Sequence, residues 1–586
     1  MRKPLLAIGF LFLALVSPAA GARKSDGSAI VKAAGDEYRK FLEQRSLGLR
    51  VRLGLPVEEL EDISEKRVKE DAAFATSLLA KLAVVKEADL DHEETLSRAI
   101  LESELTPIRD APRFYWLTFP VTPYASPLRT VHLPFTGHAF QAKADLDHYL
   151  RLLSLYADLI ASMEAKLVEQ EKRGIRIPRP EIPLVVKTFE TIGQPADRSL
   201  FRVETGRLAA IPAAEREDFV RRVAAAIETR IVPALKSLTR RLSGDYSANA
   251  PESVGLSQYP GGREFYRYLV RLYTTLDVTP EEVHQIGLAE VGRINRELES
   301  IRAAVKFPGS LAEFRSHLKT DPRFFPKTPE EIGERLMAAQ RRLVPKVPLY
   351  FGKTPKAPYG VARLDPALEG AMTYGYYDGP KPTDPKGYYY YNASNLGSRS
   401  LLNAAPLIYH ELVPGHHFQI ALQRENASLP PFRQEAAQTA YTEGWGEYAS
   451  ALAGEMGMYE DPYDRAGRLV MDVFLSVRLV VDTGMNDLGW SRERAMAYMK
   501  ENTLESDAQI ATESLRYSCD IPGQALAYKI GSKKIRDLRE KARKELGSSF
   551  DIRRFHDVVL GSGSMPLSVL ERHVDRFVSR EKARKE

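Results

Sequence analysis

At 586 residues the chain is long enough for several domains or one large one. Its 44% hydrophobic and 27% charged residues are globular composition and exclude a fibrous or disordered protein. Lysine and arginine number 83 against 78 acidic residues, and the resulting +5 makes no electrostatic case for nucleic acid.

The first element is Met1 to Ala22. Arg2 and Lys3 precede an apolar run from Leu5 to Val16, and Ser17-Pro18-Ala19-Ala20-Gly21-Ala22 supplies small residues for cleavage after Ala20 or Ala22. This predicts a signal peptide over 1–22 and an exported protein, periplasmic or extracellular. The apolar run is too short to span a bilayer comfortably, and no later stretch reaches 18 apolar residues. No membrane association is therefore expected after cleavage. The one cysteine, Cys519, excludes an internal disulfide, and none lies near the signal to build a lipid anchor.

The mature chain divides into an N-terminal helical half, 23–250, and a catalytic half, 251–586, expected to form one continuous domain. Helical periodicity dominates. Phe265, Leu269, Leu272 and Leu276 share one face; Val283, Ile286, Val291, Ile294, Leu298 and Ile301 form another stripe. Thr279-Pro280-Glu281-Glu282, Ser310-Leu311-Ala312-Glu313 and Thr328-Pro329-Glu330-Glu331 read as helix starts with capping boxes. One region differs. Ala371–Tyr377 and Tyr388–Asn392 are β-type runs around a turn-rich loop, predicting a small antiparallel hairpin in a mainly α protein. Its tyrosines read as sheet packing for the most part; a pocket wall with a free strand edge for an extended peptide is the other use.

Three of the 11 histidines fall within His410-Glu411-Leu412-Val413-Pro414-Gly415-His416-His417. Imidazoles beside a carboxylate are what Zn2+ binds, and one zinc per chain is expected. The common zinc-peptidase helix places its second histidine four residues after the first, but that position is Pro414. On a straight helix His416 points away from His410, and His417 lies roughly 10 Å further along. Pro414 cannot continue the ladder, and Gly415 permits a sharp turn. A kink is predicted that brings His416 to His410 and leaves His417 as a neighbouring pocket residue. Glu443 and Glu447 lie one turn apart on a helix face rich in apolar neighbours. Burial there demands partners. Glu443 is the expected third ligand, and Glu447 the expected support of a ligand histidine. Glu411, not needed as a ligand, is placed to take a proton from water and pass it to the leaving amine.

At these residues the chain resembles the domain-of-unknown-function-885 family of bacterial proteins, grouped with gluzincin-type zinc metallopeptidases. The resemblance rests on Pro260-Gly261-Gly262 with Tyr266 and Thr274–Asp277, the His410–His417 run, Tyr441–Trp445, Arg478–Gly484, Pro522–Leu526 and Tyr528–Gly531. It implies a large helical zinc-peptidase-like fold with a small antiparallel sheet beside the active-site helix. It implies His410, His416 and Glu443 as ligands, Glu411 as catalytic, and the Tyr517–Tyr528 segment as part of the site. Tyr528 would then donate to the oxyanion and Arg516 meet a substrate carboxylate. The family commonly has a histidine two residues after the Asp-Thr-Gly run; here Asn486 stands there, a weaker neutral donor. The expected function is a zinc-dependent peptidase acting on short peptides. A non-catalytic metal-containing peptide-binding protein and a metal-dependent hydrolase of another amide are the alternatives. Glu411 speaks against the binder, which needs no base.

Overall fold

The computed structural model describes residues 26–129, 131–369 and 375–584. The predicted signal peptide and residues 371–374 of the first β-type run lie outside the described residues. Among the described residues the protein is mainly α-helical with one three-stranded sheet. Among the described residues no helix is long and apolar enough to cross a membrane.

Seven helices build the centre of the molecule: α1 (Gly262–Thr274), α2 (Pro280–Ala304), α3 (Ala404–Glu411), α4 (His416–Glu425), α5 (Thr439–Glu455), α6 (Pro462–Asn486) and α7 (Ala527–Leu546). Their starts follow the sequence signals. The Thr279 hydroxyl accepts from Glu282 N, and the Glu282 carboxylate accepts from Thr279 N, so two orphan amides are satisfied at once. Ser310 and Glu313 repeat the reciprocal pair. Thr328 caps its helix, but Glu331 reaches past it to Lys327 N.

Two close crossings set the arrangement. Where α2 meets α6, a Cβ on Gly287 would lie 2.8 Å from Leu479 and Val480 side-chain atoms. Where α5 meets α7, a Cβ on Gly444 would come within 2.5 Å of Gly531 backbone, and one on Gly531 within 1.9 Å of the Ala440 carbonyl oxygen. Backbones packed this closely tolerate no side chain. Core residues from early in the chain (Val31, Leu78, Leu105) share one apolar cluster with Trp445 on α5 and Leu570 near the end. A second cluster joins residues 57–283 to Leu479, Leu526 and Ile530.

The sheet is mixed. Strands β1 (Tyr359–Arg363), β2 (Tyr376–Asp378) and β3 (Gly387–Tyr391) lie in the order β1-β3-β2. The expected antiparallel hairpin is β2 with β3, pairing Tyr376 with Tyr390. Parallel to β3 runs β1, with Tyr359 opposite Gly387. The sequence reading had no place for β1, a five-residue strand whose parallel partner lies across a long crossover. The pleat sorts the tyrosines. Tyr389 is buried inward, while Tyr388 and Tyr390 share the opposite face with tilted rings 5.8 Å apart.

Gly531→Ala should lower unfolding free energy by about 3 kcal/mol, the scale of an overpacked core, measured by urea unfolding. Near wild-type stability would contradict the close α5–α7 crossing. A second expectation concerns acid. The buried His556 donates from Nδ1 to Tyr350 O (2.8 Å) and accepts at Nε2 from the Tyr448 hydroxyl (2.8 Å). Burial, helped by Arg539, pushes its pKa from an ordinary 6.5 down to about 3. Below pH 6.5 the unfolded chain takes up a proton that the folded chain refuses. Stability from this group is thus complete above pH 6.5 and falls by about 1.4 kcal/mol per unit towards pH 3. His556→Gln should reduce the slope of unfolding free energy against pH by one proton in that window. An unchanged slope would refute the assignment.

Candidate metal centre

The His410–His417 run does not form one kinked helix. It forms the end of α3 and the start of α4, joined by a short non-helical link. Leu412 leaves helical geometry at φ −108°, ψ −106°. Gly415 is forced: a Cβ there would sit 1.8 Å from the His410 carbonyl oxygen. Two of the carbonyls released by the break, those of Val413 and Pro414, are met from outside. Gln340 Nε2 donates to the Ile408 and Val413 carbonyls, both at 3.0 Å, and Trp445 Nε1 donates to the Pro414 carbonyl at 2.9 Å. The break is thereby fixed against both the preceding helical layer and α5.

This turn carries His416 back onto His410. Their rings meet edge to face with centroids 4.5 Å apart. Glu443 Oε2 lies 3.4 Å from His410 Nε2 and 3.3 Å from His416 Nε2. One ligand atom from each of the three residues lies within 4.8 Å of the other two, a group able to hold a metal ion. A Cβ on Gly446 would stand 2.9 Å from His410 Cε1 and 3.0 Å from His416 Cε1. Gly446 is therefore what lets both imidazoles lie against α5. Although burial pushes Glu443 up, its two histidine neighbours hold the carboxyl far below the usual range.

Behind His410 stands Glu447. Its Oε2 lies 4.0 Å from His410 Nδ1, and its Oε1 accepts from Arg468. In front stands Glu411. Burial raises its carboxyl to about 7, with His416 opposing and Glu443 adding to the shift. Among the described residues Glu411 has neither hydrogen bond nor ion pair. The Tyr528 ring lies nearly parallel to His410 with centroids 6.3 Å apart, and Arg478 covers it at 5.0 Å. Arg516 adjoins Tyr528 and donates to Gln524 Oε1 at 2.7 Å.

His417 and Asn486 stand outside the three-residue group. His417 Nε2 donates to Ala357 O (3.0 Å), and its Nδ1 accepts from the Tyr377 hydroxyl (2.9 Å). One residue after His416 on a helix points about 100° away, so His417 pins the sheet to α4 instead of entering the centre. Asn486 departs from the donor role that the sequence suggested for it. It is fully buried; Nδ2 donates to the Asp482 carbonyl (3.0 Å) and Tyr517 carbonyl (2.6 Å), and Oδ1 accepts from Leu256 N (2.9 Å). No donor remains for a substrate.

A family model described as a bacterial protein of unknown function, DUF885, matches residues 46–574. The chain belongs to this family. Among solved structures, the DUF885 chain is similar to a "putative lipoprotein" from Colwellia psychrerythraea, at 26% identity and TM-score 0.85, covering 95% of this chain and 99% of that one. It is also similar to a "putative lipoprotein" of unknown function from Shewanella oneidensis, at 18% identity and TM-score 0.71, covering 94% and 99%. No curated protein matches it.

Sequence reasoning on this DUF885 protein missed Gly446 and Arg468. Gly446 had a signal, being a glycine inside a helix between two acids one turn apart. Arg468 had none: its burial against Glu447 depends on where α6 passes α5. Gly446→Ala should displace both imidazoles and weaken divalent-metal binding by about tenfold or more in chelator competition. Helical circular dichroism should stay near wild type. Undiminished metal affinity would show that the imidazoles do not need that space.

Proposed function

We propose that this DUF885 protein is an exported zinc-dependent peptidase acting on short peptides. The observation that carries the reading is one constellation: two buried imidazoles and a partly buried carboxylate converging, with a second carboxylate beside them that has no partner among the described residues. The donor set fits zinc. Two nitrogens and one carboxylate oxygen make a three-ligand set of the kind catalytic zinc uses. The Nδ1 atoms of His410 and His416 are buried without hydrogen-bond partners, leaving Nε2 of each ring turned to Glu443. His410, His416 and Glu443 would hold the ion, which supplies Lewis acidity to an amide carbonyl and to water.

The remaining work falls to the chain's own residues. Glu411 takes a proton from the attacking water and returns it to the departing amine. Tyr389 and Tyr377 stand close enough to Glu411 for its charge to raise both phenols. Tyr528, beside Glu443 and Arg516, donates its hydroxyl proton to the developing oxyanion. Arg516 offers a guanidinium to a substrate carboxylate. Glu447, anchored by Arg468, places its carboxylate 4.0 Å from His410 Nδ1, on the side of the ring away from Glu443. Export is supported by the basic, apolar and small-residue order of Met1–Ala22 and by the lipoprotein descriptions of both similar structures.

Paired substitutions test the reading. Glu411→Gln keeps shape and removes the base; zinc content should stay near one per chain while hydrolysis of short peptides falls by about 10²-fold or more. Glu443→Gln exchanges an anionic ligand for a neutral one and should lose zinc at chelator concentrations the wild type withstands. Full activity in zinc-loaded Glu411→Gln removes the base role. A zinc-loaded wild type that binds peptides but cleaves none across a broad panel selects the peptide-binding reading.

A further inference from the structure

A cavity of about 520 Å3 lies away from the metal centre, between residues 44–71, residues 115–127, helix α1 and residues 519–522. None of its lining residues is His410, Glu411, His416, Glu443 or Tyr528. Much of its wall is apolar: Leu117, Phe119, Phe265, Leu269 and Ile521. Into this wall is set Lys166, from the helix Lys143–Lys172, with only 8% of its surface exposed.

Lys166 is an unusual group to bury. An ammonium carries three donors. Nζ donates once, to Thr118 Oγ1 at 2.9 Å, and lies 4.0 Å above the Tyr115 ring. Among the described residues it has no ion pair. Of the carboxylates that line the cavity, Asp71 pairs with Arg45 (3.1 Å), Asp62 with Arg67 (3.3 Å), Asp520 accepts from the Thr122 hydroxyl (2.6 Å) and two backbone amides, and Glu59 and Glu61 are exposed; none of them pairs with Lys166. Burial alone lowers its pKa, to about 8, with no anion opposing. At neutral pH the group is therefore still mostly charged. A buried cation without a counterion is costly, and the cost is removed when an anion enters.

We propose that this cavity is a second ligand site, taking a small carboxylate with an apolar body whose charged end bonds Lys166. The apolar wall and the single ammonium match the two ends of such a molecule. A phosphate or polyanion is disfavoured, since one buried cation cannot balance it. Two sources share this chemistry: the C-terminus of a peptide ending in an apolar residue, and a short fatty acid. The site stands whether or not the metal centre hydrolyses peptides, because its test reads binding alone.

The test is calorimetric titration at pH 7 of the zinc-loaded, full mature protein with N-acetyl-leucine, N-acetyl-leucinamide and hexanoate. N-acetyl-leucine should bind with a Kd of about 1 mM or tighter, and the uncharged amide about tenfold more weakly or worse. Lys166→Met should abolish the preference for carboxylate over amide; Lys166→Arg should keep part of it. Leu269→Trp, which fills the cavity from another wall, should weaken every ligand and guards against a Lys166 variant that fails to fold. Hexanoate binding as well as N-acetyl-leucine supports the site with a fatty acid as occupant; weaker hexanoate supports it with a peptide C-terminus. Equal binding of acid and amide by wild type overturns the proposal, as does a carboxylate preference surviving in both Lys166→Met and Leu269→Trp.

Discussion

Five residues of α5, from Glu443 to Glu447, impose the geometry on which the rest depends. Glu443 turns its carboxylate to the two imidazoles. Gly444 rests against Gly531 with no room for a side chain on either. Trp445 holds the Pro414 carbonyl and so fixes the helix break. Gly446 clears the space in which the imidazoles lie, and Glu447 backs His410. Successive helical positions rotate by about 100°, so one turn meets α7, the α3–α4 link and α6 together. The glycines cost helix propensity, about 1 kcal/mol each against alanine. That cost is offset by packing only if both neighbours approach as closely as they do.

A second constraint follows from the first. Closing helices around buried acids brings their charges into one network. Glu447 is paired with Arg468. Asp472, one turn further along α6, is paired with Lys529 and with Arg293 at 2.8 Å, and Lys529 also reaches Glu290 at 2.8 Å. Lys529 immediately follows Tyr528. The support of His410 and the placement of Tyr528 thus share one set of ion pairs across α2, α6 and α7. Such a network is weak evidence for stability, because desolvation consumes much of the Coulomb gain. Its effect is on geometry: removing one member strands the others in low dielectric.

What could be read in the sequence tracks how local each cause is. Caps at Thr279 and Ser310 involve residues three apart, and the structure has them as expected. Fold class was legible for the same reason, since helical stripes repeat within a turn or two. The meeting of His410, His416 and Glu443 was legible because Pro414 and Gly415 allowed one plausible return path. The break is more complete than a kink, since Gln340 and Trp445 satisfy two of the released carbonyls, and neither is near in sequence. Asn486 misled because its environment is set by the Gly255–Leu256 turn, 230 residues away, which packs on the end of α6. Strand β1, Arg468 and the Lys166 cavity were illegible for the same physical reason: each exists only once distant segments have packed.

Charge balance ties the centre together. Most acids near it have a cation beside them: Glu447 has Arg468, Asp472 has Lys529, and Glu513 has Arg478 at 3.1 Å. Glu411 has none, and Glu443 has only imidazoles, which need not be charged. Glu443 and Glu447 with Arg468 therefore leave one negative charge around His410 and His416, and Glu411, raised to about 7, adds part of another. Uncompensated, they would repel in a buried setting and push protons onto the site. A divalent cation between the imidazoles would carry the charge that is missing, at the place where the ligand atoms already converge. It would also leave Glu411 as the carboxylate without a bonded partner, free to exchange a proton with a reactant. The same arrangement that makes the apo centre electrostatically unfavourable is thus what would make the loaded centre reactive.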